Sequence, residues 1–108
     1  IKSLKEMTII NLTPHTIVLN DGREFPASGT IARVQAGFSN IVNDICTQTF
    51  GEVEGLPSPQ DGVTFIVSAM VLSALAGKRQ DVVAPATGHP HCVRNDKGHI
   101  VSVPCFVQ

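Results

Sequence analysis

The sequence predicts a single α+β domain, a mostly antiparallel β-sheet with one short buried helix, and three observations carry that reading. Runs of β-branched and apolar residues recur along the chain, each closed by Gly, Pro, Asn or Asp, as strands between tight turns should be. Residues 69–76, Ala-Met-Val-Leu-Ser-Ala-Leu-Ala, have instead the composition and length of a helix. A chain of 108 residues that is 43% hydrophobic and 16% charged suits one core, with too much apolar side chain for a disordered protein.

Taken in order, residues 1–6 precede the first methionine and read as a vector-derived prefix, which leaves 7–108 as the domain. Residues 7–12 and 16–19 are two short strands parted by Thr13-Pro14-His15, because proline lacks the donor a ladder needs. Asn20-Asp21-Gly22 tolerates the positive φ of a hairpin turn and returns the chain along 23–25. After the break at Pro26-Ala27-Ser28-Gly29, residues 30–34 alternate as a half-buried strand, and 40–53 form a further strand. The loop 55–62 carries two prolines. Residues 63–67 are apolar and β-branched apart from Thr64, as a central strand buried on both faces should be. Ser68 caps the helix, which ends at Gly77, and Lys78-Arg79 suit the negative end of its dipole. Residues 81–84 make a short strand, 85–90 a loop, and 91–95 with 99–105 a hairpin closed at Asp96-Lys97-Gly98.

A helix that is apolar nearly all round needs cover on two sides. So short a chain has few elements to supply it, so the helix lies between sheet layers or joins a subunit interface, and a homo-oligomer is expected. A net charge of -1 without a polybasic run argues against nucleic acid as a partner. The longest apolar run, 69–76 with Ser73 inside it, is far short of the ~20 residues that span a bilayer, so no membrane is expected. Cys46, Cys92 and Cys105 are an odd number without a C-x-x-C pair, which points to free thiols and a cytoplasmic protein.

The residues that could carry chemistry argue against an enzyme. Of His89-Pro90-His91-Cys92, the two histidines share a strand face while Cys92 points away, and His15 and His99 add no second ligand pair, so no metal is expected. Ser68 stands between a strand and a helix, yet Val67 and Ala69 replace the glycines a nucleophile elbow requires. Cys92 and Cys105 lie in apolar strand contexts that suit a structural role, and no carboxylate pair or cofactor motif is present. The polar residues at strand ends, Asn11, His15, Arg33, Ser68, Arg79, Asp81 and Arg94, form the candidate ligand set. Arginine forks bind phosphate bidentately and a helix start favours an anion, so Arg33, Arg79 and Arg94 would face a phosphorylated ligand. The competing reading makes Arg33 and Arg94 solvated strand residues and Arg79–Asp81 a local salt bridge. Among the five phenylalanines, Phe38 in Gly37-Phe38-Ser39-Asn40 is the one expected at the surface.

Several of these residues also carry a resemblance. Asn11-Leu12-Thr13-Pro14-His15, Pro26 with Ser28-Gly29, Ala32-Arg33-Val34, Gly55-Leu56-Pro57 with Gly62, and Ile66-Val67-Ser68 belong to it. So do Arg79 with Asp81-Val82 and Pro85, and Val93-Arg94 with Gly98 and Ile100. From Met7 to Phe106 the chain resembles a family of similarly small proteins of phages, prophages and other mobile elements. More distantly, through its Thr-Pro-His opening and strand-Ser-helix junction, it is similar to the Thoeris anti-defence protein one family. Those phage proteins sequester cyclic ADP-ribose isomers and assemble as homo-oligomers. The resemblance implies a mobile-element protein that binds a small phosphorylated, nucleotide-like ligand without catalysis. The alternative is a structural or protein-binding accessory with no small-molecule site.

Overall fold

Backbone pairing of the β-branched runs produces ten strands and one helix in the computed structural model, which describes residues 8–108. The prefix 1–6 and Met7 lie outside the described residues. Chain order is β1 (Thr8–Asn11), β2 (Ile17–Val18), β3 (Glu24–Phe25), β4 (Arg33–Phe38), β5 (Gln48–Glu54), β6 (Val63–Ile66), α1 (Ala69–Leu75), β7 (Val82–Pro85), β8 (Val93–Arg94), β9 (Ile100–Ser102) and β10 (Phe106–Val107). The α+β class holds, and antiparallel pairings outnumber parallel ones among the described residues.

The core is built on β6, whose apolar run sits in the middle of a four-stranded sheet of order β1-β6-β7-β10. Phe65, Ile66 and Val67 are wholly buried. Phe65 and Val67 pack with Leu12, Ala32, Val71 and Val82 on the helix side, and Ile66, one residue out of phase, faces away from them. Both inner pairings of this sheet, β1 with β6 and β6 with β7, are parallel, and only β7 with β10 is antiparallel. A mostly antiparallel expectation therefore fits the hairpins and not the centre. The crossover through α1 returns the chain to β7 in the same direction as β6, which a tight turn could not do.

Ser68 caps α1, its hydroxyl accepting the Val71 N–H at 3.3 Å, and Ala76 ends the helix in the left-handed region at φ 51 just before Gly77. The expectation of a buried helix is corrected. Val71 alone is buried, Leu72 and Leu75 are half-buried, and Met70 is 47% exposed. Among the described residues, β7 and the base of β4–β5 are the elements that pack substantially against α1.

The strand expected over 40–53 is also corrected. Asn43 and Asp44, at φ 52 and φ 65, form a two-residue hairpin turn closed by reciprocal bonds between Val42 and Ile45, with N···O distances of 2.8 and 3.0 Å. Positive φ at both central residues matches the right-handed twist of the flanking strands. β4 and β5 are thus the two sides of one arm running from Arg33 to Glu54. Val34 and Val53 pack its base against the core. Gly55 fixes the exit: its φ is +80, and a Cβ there would lie 2.5 Å from the Ile31 carbonyl oxygen. Beyond this base every residue from 38 to 52 is exposed. The radius of gyration, 15.4 Å, exceeds the ~13 Å of a compact chain of this length.

Candidate functional site

The structure joins Asn11 to the His15 backbone and Arg79 to Asp81, and gives most of the residues expected to bind a ligand partners within the fold. Asn11, 2% exposed, donates from Nδ2 to the carbonyls of His15 (2.7 Å) and Phe25 (2.8 Å), and its Oδ1 accepts from the N–H and hydroxyl of Thr13. Two donors and two acceptor positions are all an amide has, so Asn11 is filled by the loop it organises. The Ser68 hydroxyl serves the cap.

Arg79 makes a bidentate pair with Asp81, both contacts at 2.8 Å, and gives a third bond to the Pro57 carbonyl. That hydrogen bonding lowers the Asp81 carboxyl below its ordinary value and raises the Arg79 guanidinium, with partial burial opposing both shifts. Arg94 donates to the carbonyls of Gly98 and Thr87, closing the β8–β9 hairpin onto the preceding loop. Arg33, at the start of β4, is exposed and in register with Glu54. The guanidinium groups of Arg79 and Arg94 therefore brace two different parts of the fold.

One apolar cleft of about 260 Å³ lies between β2 and β9, lined by Ile17, Val18, Ile100, Val103 and the loop residue Thr87, with exposed His15 among its walls. None of the three arginines lines it. The three cysteines are free thiols: Cys46 on the arm and Cys105 are exposed, while Cys92 is half-buried. Cys105 is therefore not the core residue its neighbours implied, because the chain leaves β9 and bends before β10. His89 and His91 stack at 5.3 Å, but no cluster of three His, Cys, Asp or Glu able to hold a metal occurs among the described residues. No helix among them is long and apolar enough to cross a membrane.

The feature with the strongest claim to function is the arm. Of the ten large apolar side chains exposed among the described residues, five are on it: Phe38, Ile41, Val42, Ile45 and Phe50, from 42% exposed at Phe50 to 75% at Ile41. The polar neighbours of Phe38 predict its exposure, whereas Ile41, Val42, Ile45 and Phe50 fall within the single strand expected over 40–53. The overlooked signal was Asn43-Asp44 between β-branched residues, a turn that folds the segment back on itself away from the core. Residues 34–51 hold a single charge, Asp44, and no Lys or Arg stands between Arg33 and Lys78. Surface strands ordinarily carry such charges to prevent pairing with another chain. No protein-family model, curated protein or solved structure matches this chain.

Proposed function

We propose that this protein is a non-enzymatic, protein-binding accessory of a mobile element that works through the β4–β5 arm. The observation that carries the reading is the unbroken exposed stretch 38–52 with its five large apolar side chains. Isolated apolar residues on a surface need no explanation, but a contiguous patch of a few hundred Å² or more marks a contact site. The arm is rooted by Val34, Val53 and Gly55 and turned by Asn43-Asp44, so the fold holds the patch out from the core. The phage-like sequence resemblance supplies the mobile-element setting, and the engagement of Arg79 and Arg94 in internal bonds removes the main support for a phosphate site.

A second reading rests on the cleft beside His15, which could take a small, largely apolar molecule. Calorimetric titration separates the two. Linear and cyclic nucleotide phosphates at up to about a millimolar should give no saturable heat with the wild type. A hydrophobic fluorescent probe should bind it, and bind an Ile41→Ser/Ile45→Ser variant several-fold less. Saturable nucleotide binding that Arg94→Ala removes would overturn the protein-contact reading.

A further inference from the structure

We infer that the cleft between β2 and β9 is a binding site for a small apolar monocarboxylate, one carboxyl group on an aromatic or branched aliphatic body. This rests on the second reading above, in which the cleft takes a small molecule, and is independent of the arm. The way the cleft arises supplies its polar groups. Leu19 and Val103 form an isolated parallel bridge, in which Val103 donates to the Val18 carbonyl and accepts from the Asn20 N–H, both at 2.9 Å. Upstream of that bridge β2 pairs with β3 and β9 with β8, each in a sheet of its own, so the two strands part where a ladder would continue. A strand residue sends its N–H and C=O out on one edge, and every second residue shares that edge. The Val18 N–H and the Val101 N–H therefore face the gap.

The lining selects the sign of the ligand. His15 is the one residue with a titratable side chain among those lining the cleft, which include no Lys, Arg, Asp or Glu. An imidazole, the hydroxyls of Thr16 and Thr87 and the two backbone N–H groups can all donate, so their complement is an acceptor that carries negative charge. The Val101 carbonyl shares the gap, but on a residue 52% exposed it keeps its water. A single imidazole matches a single charge. A phosphate would bring more charge than anything in the cleft neutralises. Size and walls select the body. Ile17, Val18, Ile100, Val101 and Val103 are apolar, and about 260 Å³ falls just below the ~300 Å³ at which pockets accept drug-sized ligands. Ile100 and Val101, 43% and 52% exposed, offer apolar surface that such a body covers.

Calorimetry and amide chemical shifts of the isotope-labelled full chain, titrated with benzoate, benzamide and benzylammonium, test this. Benzoate should saturate below about a millimolar and move the Val18 and Val101 amides, with benzamide roughly tenfold weaker and benzylammonium silent. His15→Ala should weaken benzoate roughly tenfold and leave benzamide within about twofold. His15→Gln, which keeps polar bulk beside the Asn11 loop, should do the same, and circular dichroism verifies that both variants fold. Ile41→Ser/Ile45→Ser should leave benzoate binding unchanged. Equal affinity for benzoate and benzamide, or no loss in either His15 variant, overturns the carboxylate and leaves the cleft a site for neutral apolar molecules. Saturation by none of the three probes overturns both readings of the cleft. Benzoate shifts confined to the arm, and lost in Ile41→Ser/Ile45→Ser, place the acid on the other surface and overturn the inference.

Discussion

The central sheet and the β4–β5 arm are built from the same residue types and put them to opposite uses. In β6, Phe65 and Ile66 are removed from water by strands on either side and by layers on both faces. On the arm, Phe38 pairs with Gln48 and Ile45 bridges to Val42 across the turn, and Phe38, Ile41 and Ile45 all stay exposed. Hydrophobicity alone therefore does not say which β-branched run becomes core. Pairing partners decide it: a strand in the middle of a sheet acquires two neighbours, while a hairpin closed by its own turn needs none beyond itself.

That contrast can be broken most strongly in the sheet. Phe65→Ala should cost about 3–5 kcal/mol, read as a fall in denaturation midpoint, because the cavity opens among Leu12, Val67, Val71 and Val82. If the loss is under ~1 kcal/mol, the core is not where this packing puts it. Asn11→Ala should come next, at about 2–3 kcal/mol, since it strands the Phe25 carbonyl and the Thr13 N–H and leaves the Thr13 hydroxyl and the His15 carbonyl only their bond to each other. A ligand residue would leave stability untouched, so the melting curve alone tells the two roles apart.

At the boundary between the regions, Gly55→Ala should destabilise by roughly 1–3 kcal/mol, as positive φ and the Ile31 carbonyl both oppose a Cβ. Exchange protection should then fall first in β4 and β5. Asp81→Asn is smaller, about 1–2 kcal/mol for a partly exposed pair. Its pH signature has a definite sign. The folded carboxyl is depressed by Arg79, so the stabilisation is complete above the ordinary carboxylate pKa and is lost as pH falls through the lower folded value. Arg79 stays protonated throughout that window and contributes no slope. An acid-unfolding curve in which wild type and Asp81→Asn differ equally at every pH would contradict the pairing. The smallest stability effect belongs to the arm: Ile41→Ser/Ile45→Ser should shift melting by less than about 0.5 kcal/mol when measured on the monomer.

Local chemistry by itself determined much of this protein. The Asn20-Asp21-Gly22 turn, the Ser68 cap, the buried run at Phe65 to Val67 and the free thiols all follow from residue types whose preference acts within a few positions of the chain. The Arg79–Asp81 pair is equally local, which is why its competing reading as a salt bridge was available from spacing alone. Only the tertiary structure decided that β6 pairs in parallel with both neighbours, that α1 stays largely exposed, and that 38–52 projects as an arm rather than lining the core. Each of these depends on which distant segment arrives to cover a surface. An apolar residue prefers burial wherever it sits, and its sequence neighbours do not reveal whether a partner strand or layer will be there to provide it.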